Sequence, residues 1–239
     1  MKMKNKKAEQ DALRQRHKEA LKANRRKEAL LERKEPSINE KPSILIYCEG
    51  KNTEPSYFNQ FRLPSLDIKS FGEGKNTLSL VKRAIQLSEE KAYDQIWCVF
   101  DADPKPDNPN QAKNFNRAIE LANKNKFGIA YSNQAFEYWI ILHFDDHQGG
   151  KMDRKLYDEK INHLLEPYKL TYEGKDCKII TEAIFEILTG VDEKTKKERT
   201  ILAIDRAKRN YELFDHSNPA AEESSTTVFR LVDELLKFL

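Results

Sequence analysis

Two short apolar runs, Ile44–Cys48 and Ile96–Phe100, each stop at carboxylates, in CEGKNTE and VFDADP. Runs of this length, rich in Ile, Val and Phe and bounded by turn residues, predict buried strands. The segments around them carry helical spacing, and strand alternating with helix constrains the chain to a parallel sheet covered on both faces. Ligand sites in such sheets lie where the strands end, which is where Glu49, Asp101 and Asp103 fall. Converging carboxylates are how proteins hold Mg²⁺, so the residues point to a divalent metal site. Acidic residues also follow strands simply because loops are polar. Two such motifs at two strand exits weigh against that simpler account.

Asp101 and Asp103 stand at i and i+2. If the strand runs on through them, their side chains leave one face about 7 Å apart, close enough to share an ion. Pro104 then ends the strand, and Gly50 after Glu49 permits a sharp turn and a close approach of backbone to ligand. The remaining pattern predicts a helix over 54–61 capped by Thr53, a short strand over 67–71 and a helix over 77–87 capped by Asn76. It continues with a helix over 111–124, a strand over 127–131 and an aromatic-rich helix over 136–144. Beyond Gly150 only helices are predicted, over 154–165, 179–188, 200–213 and 226–239. Three parts result: a basic leader and linker over 1–41, an α/β domain over 42–150, and a helical extension over 151–239.

The cysteines Cys48, Cys98 and Cys177 show no CxxC spacing, which suits a reducing cytoplasm and gives no support to a zinc cluster or a disulfide framework. No apolar segment reaches the roughly 18 residues of a membrane span, and the charged start lacks the apolar core of a signal peptide. A soluble cytoplasmic protein is the expectation.

Charge is concentrated at one end. Residues 1–41 hold 14 basic and 7 acidic side chains, a balance of +7 in a chain whose total is +3, which leaves −4 for the rest. The leader is rich in helix formers, free of Gly and Pro up to Glu35, and too poor in large apolar residues to face a core. A basic helix of this kind lies along a nucleic-acid backbone, docks on an acidic partner, or stays solvated. Pro36 ends it.

Several further residues carry both a chemical and a structural reading. Lys51 could neutralise a phosphate or be solvated. Ser132 or Asn133 could cap the helix in which Glu137 occupies the first turn, where its charge suits the helix dipole. His143 and His147 at i and i+4 lack a third ligand for zinc, so His143 is assigned to packing or phosphate contact. Asn218 and Pro219 read as a helix end, with Ser225 or Thr226 capping the last helix.

The succession CEGKNTEPSYF, VFDADP, FGIAYSNQAFEYWIILHF and SNPAAEESSTTVFRLVDELL, from about Ser43 to the C-terminus, resembles the RloB-type proteins. These are Toprim-like proteins associated with phage defence, abortive infection and restriction in bacteria. The resemblance implies an α/β fold with a Toprim-like parallel sheet and flanking helices, joined here by the basic N-terminal helix and the helical C-terminal extension. It implies a Mg²⁺ or Mn²⁺ site in which Glu49 follows the first strand and Asp101 with Asp103 follows the third. Glu54 matches a second ligand glutamate of related Toprim nucleases, at a wider spacing than is usual there. Glu137 is implied as an outer ligand or base.

The activity implied is metal-dependent hydrolysis of RNA, such as tRNA, or of DNA, by the effector of an antiphage system. Glu49 would bind the metal or act as general base. No P-loop is present, so an ATP requirement would be met by an ABC- or AAA-type ATPase partner. Assembly as a homo-oligomer is left open. The alternative is a non-catalytic Toprim-like subunit that binds a partner ATPase or nucleic acid. A glycosyltransferase would share the Asp-x-Asp motif but leaves CEGKNTE unexplained, and a haloacid-dehalogenase-type phosphatase would place its aspartates on the first strand.

Overall fold

Among the described residues four strands, all parallel, form the sheet in the order β2-β1-β3-β4. They are β1 (Ser43–Cys48), β2 (Asp67–Gly72), β3 (Gln95–Asp101) and β4 (Gly128–Ser132). The structure is a computed structural model that describes residue 19 and residues 41–103, 109–172 and 178–239. Apart from residues 19 and 41, the basic leader and linker lie outside the described residues, as do Pro104 and Cys177. Lys41–Leu239 forms one compact unit.

The runs Ile44–Cys48 and Ile96–Phe100 of the two central strands are apolar because both faces are covered. Ile44, Ile46 and Cys48 alternate with Leu45 and Tyr47, so the first set packs with Val99 and Ala130 on one face and the second with Cys98, Phe100 and Tyr131 on the other. On the second face lie α2 (Thr77–Glu90) and α3 (Pro109–Lys124). Thr77, Leu80, Val81 and Ala84 are the buried stripe of α2, and Asn76 accepts a hydrogen bond from Ser79 N at 3.1 Å as the expected cap.

The first face carries α1 (Thr53–Phe58) and α4 (Glu137–Leu142), and the helices after residue 150 share that core. These are α5 (Tyr157–Leu165), α6 (Glu182–Thr189), α7 (Arg199–Tyr211) and α8 (Val228–Leu236). Every residue of α4 is buried. Truncating the fully buried Trp139 to alanine would cost about 3–5 kcal/mol.

Several end assignments differ from the sequence reading. Thr53 is the first residue of α1 rather than its cap; its hydroxyl donates to Lys178 O at 3.0 Å. Ser132 and Asn133 do not cap α4, whose cap position is Phe136; Ser132 ends β4. Helix α7 stops at Tyr211, well before Asn218, which instead precedes a short 3-10 turn over Pro219–Ala221. Thr226 and Thr227 close the outer edge of β4. Thr227 N donates to Tyr131 O at 2.8 Å, its hydroxyl accepts from Tyr131 N at 2.9 Å, and Thr226 accepts from Val228 N at 3.3 Å. The segment therefore satisfies strand groups that would otherwise be an open edge.

Candidate active site

Glu49 prolongs β1 by one bond, its N–H donating to Val99 O at 2.8 Å. That places its carboxylate over the end of β3, where Oε2 accepts from Asp101 N and from the Thr77 hydroxyl, each at 3.4 Å. Glu54 lies in the first turn of α1 and folds back so that Gly50 N donates to its Oε1 at 3.2 Å. A Cβ at Gly50 would stand 2.3 Å from Glu54 Oε2, so only glycine leaves this carboxylate where it is.

Asp101 is the last residue of β3, opposite Ser132. The chain does not continue extended beyond it. Ala102 N still reaches Ser132 O at 2.9 Å, but Asp103 has φ +37°, so the pair does not present its side chains as consecutive same-face residues of a strand. Asp103 instead forms an ion pair with Arg154. Glu137, in the first turn of α4, accepts from Lys178 Nζ at 2.8 Å and from Tyr172 OH at 3.0 Å.

All five carboxylates line one cleft of about 240 Å³, together with Arg154 and Lys178. Burial pushes the Glu49 carboxyl up to about 7; the Asp101 amide opposes this and the Glu54 charge adds to it. Burial also raises Asp101 well above the usual carboxylate range, reinforced by the charges of Glu54, Glu137 and Glu49. Glu54 is raised by burial and by Glu137, against the amides that bond it. Burial disfavours the Arg154 cation, yet Asp103, Asp101 and Glu137 more than offset it. Lys178 is likewise held charged by Glu137 and Asp158 against its desolvation.

Among the described residues, Glu49, Glu54 and Asp101 stand in no ion pair, and their mutual repulsion is what an added cation would relieve. The donors are hard oxygens, the set that suits Mg²⁺ or Mn²⁺. As the side chains stand they do not form a closed cage. Among the described residues no three Asp, Glu, His or Cys side chains are grouped as an ion site, and Asp103 and Glu137 are paired with protein cations.

Those cations are what sequence reasoning missed. Arg154 lies 51 residues from Asp103 and Lys178 lies 41 from Glu137, so no local pattern could pair them. Lys51 is exposed and is not one of the residues lining the cleft. His143 is buried, burial takes its pKa down to about 4, and its Nδ1 lies 2.9 Å from Trp139 O. His147 instead bonds Tyr138 OH at 2.9 Å through Nδ1, so the two histidines have separate structural partners.

Comparison with known families settles the relationship. The profile of the RloB-like protein family matches residues 44–235. The chain belongs to the RloB-like family. The matched stretch contains every carboxylate of the cleft as well as Arg154 and Lys178, and it excludes the basic leader. No curated protein and no solved structure matches the chain. Among the described residues of this RloB-like protein, no helix is long and apolar enough to cross a membrane.

Proposed function

We propose that this RloB-like protein is a Mg²⁺- or Mn²⁺-dependent nuclease, the effector of an antiphage or abortive-infection system, working with a partner ATPase. The observation that carries the reading is the convergence of Glu49, Glu54, Asp101, Asp103 and Glu137 on one cleft at the exit of parallel strands. Glu49, Glu54, Asp101 and Asp103 would hold the metal. Bound there, it would offset charge developing on the attacked phosphate and lower the pKa of water.

The protein's own groups supply the rest. Where Glu49 serves as general base instead of ligand, its carboxyl, raised to about 7 by burial, is matched to accept a proton from an attacking water and release it again. Arg154 and Lys178 are cations held inside a cleft of carboxylates; Arg154 would be free to meet phosphate oxygens once Asp103 turned to the metal, while Lys178 stays beside Glu137. Glu137 acts as outer ligand or base, oriented by Tyr172 and Lys178. None of these groups distinguishes ribose from deoxyribose, so RNA, including tRNA, and DNA are both candidate substrates.

One observation favours the non-catalytic reading: Arg154 and Lys178 already neutralise two of the carboxylates, as they would in a binding subunit that never takes a metal. Incubation of the purified protein with labelled tRNA and plasmid DNA, with Mg²⁺ or EDTA and with or without the partner, separates the two. Mg²⁺-dependent cleavage that disappears in Glu49→Gln supports the nuclease. Phage protection that survives in Glu49→Gln, with no cleavage by wild type, replaces it with the binding subunit.

A further inference from the structure

The cleft is an unusual place to bring a polyanion, since five carboxylates face two cations there. Binding of a nucleic-acid strand must therefore draw on positive charge nearby. Such charge lies between α2 and α3, in a groove of about 330 Å³ whose lining includes Leu78 and Leu121, the cations Lys82, Arg117 and Lys124, and a single acid, Glu120. Lys82, Arg117 and Lys124 are exposed, and among the described residues none of them is in an ion pair. By contrast Arg83, one residue from Lys82, is held by Glu73 and Glu90.

Both walls of the groove begin at the carboxylates. Thr77, the first residue of α2, donates to Glu49 Oε2, and Lys82 follows five residues on, about 7.5 Å along the helix axis. Near the start of α3, Gln111 Nε2 donates to Ala102 O at 3.2 Å, between Asp101 and Asp103. From there Lys113, Arg117 and Lys124 recur at i, i+4 and i+11, on one side of the helix. Arg117 to Lys124 spans roughly 10 Å, long enough for successive phosphates of one strand to meet successive cations.

We propose that the α2–α3 groove is the track along which the phosphodiester backbone of a nucleic-acid strand is held as it leaves the carboxylate cleft. The proposal rests on the nucleic-acid reading given above. Lys82, Arg117 and Lys124 contact phosphates, and Leu78 and Leu121 lie beneath sugars or bases.

The test uses the full chain in EDTA, which separates binding from cleavage. Fluorescent 20-nucleotide single-stranded RNA and DNA of one sequence are titrated by anisotropy at several salt concentrations. The triple variant Lys82→Glu, Arg117→Glu, Lys124→Glu is compared with wild type and with Lys194→Glu, Lys196→Glu, Lys197→Glu, an equal charge reversal on an exposed turn. Circular dichroism and the neutral triple Lys82→Gln, Arg117→Gln, Lys124→Gln guard against misfolding.

The groove variant is expected to bind at least tenfold more weakly, with a salt slope shallower by about two, since each phosphate on a single strand contributes roughly 0.7. The neutral triple should show the same change in slope with a smaller loss, and the control should stay within twofold of wild type. Unequal losses between the RNA and the DNA probe identify which strand the groove prefers. Equal binding by groove variant and wild type, an equal loss in the control, or no binding by wild type overturns the proposal. A wild type that binds but never cleaves, with binding lost in the groove variant, leaves the groove and removes the hydrolytic reading. Cleavage with unchanged binding in the groove variant does the reverse.

Discussion

The two ends of the sheet carry cavities of opposite character. Where β3 and β4 begin, a cavity of about 460 Å³ lies among Tyr93, Trp97, Phe127 and Asp94. Asp94 is the one acid among its lining residues, and it is satisfied by Ser43, accepting from N at 2.7 Å and from Oγ at 2.9 Å. Those bonds hold its carboxyl below the ordinary value. Where the strands end, the cleft has about half that volume and five carboxylates, three of which stand in no ion pair among the described residues. In the larger space the one acid is satisfied by neighbours of the fold itself. In the smaller one burial, reinforced by neighbouring charge, raises Glu49, Glu54 and Asp101 above their ordinary pKa values, which is the arrangement that chemistry uses.

The largest contrast should appear in activity. Asp101→Asn is expected to lower Mg²⁺-dependent cleavage at least 100-fold and to weaken Mn²⁺ binding tenfold or more, while Asp94→Asn leaves both within twofold. Calorimetry or manganese resonance, run beside the cleavage assay on folded proteins, reads both. Equal Mn²⁺ binding in wild type and Asp101→Asn would take the metal out of the cleft.

A second, smaller effect probes the internal cations. Arg154 competes with any bound metal for Asp103, so Arg154→Gln should strengthen Mn²⁺ binding severalfold. If the guanidinium also meets the phosphate, the same variant should lose about tenfold in cleavage. Binding and activity that fall together would assign Arg154 to the shape of the cleft instead.

The sheet and the acidic motifs were legible because their causes are local. Ile44–Cys48 and Ile96–Phe100 announce strands by composition, and Glu49 and Asp101 are placed by where those runs stop. Asp103 was misplaced because left-handed backbone at a non-glycine residue leaves no mark in the sequence. Arg154, Lys178 and Tyr172 were missed because each reaches the cleft from a segment after residue 150, and nothing at those positions distinguishes them from solvated or core residues. Thr226 reads as a cap from its neighbours, and its hydroxyl does accept from Val228 N, but it also donates to Tyr131 O, 95 residues away. Long-range pairing of this kind is a property of the packed chain.

Stability should follow pH in a way that only the carboxyl-terminal end explains. The Glu49 carboxyl titrates near 7 when folded and at an ordinary 4.5 otherwise. Between these values the folded protein keeps a proton that the unfolded chain has lost, so this group's contribution to stability declines as pH rises from about 4.5 to about 7. With metal chelated, the melting temperature of Glu49→Gln relative to wild type should therefore increase across that window and level off above it. Mg²⁺ should shrink the difference by stabilising the ionised cleft. A difference independent of pH would mean that Glu49 is solvated and titrates normally.

The finest comparison matches one glycine at each end. A Cβ at Gly50 would come within 2.3 Å of Glu54 Oε2, and a Cβ at Gly128 within 2.3 Å of the Trp97 ring. The encroachment is equal, but the neighbours differ in how they give way. A carboxylate at the end of a flexible side chain swings aside at little cost, whereas an indole held by packing and by its Nε1 bond to Gln95 does not. Gly50→Ala should therefore leave the melting temperature nearly unchanged while displacing Glu54, so that Mn²⁺ affinity and cleavage fall severalfold. Gly128→Ala should cost about 1–3 kcal/mol from overpacking and leave cleavage within twofold. Thermal melts and cleavage rates on the two variants should fall in opposite corners. A Gly128→Ala protein that loses cleavage while keeping its stability would show that the amino-terminal cavity communicates with the chemistry after all.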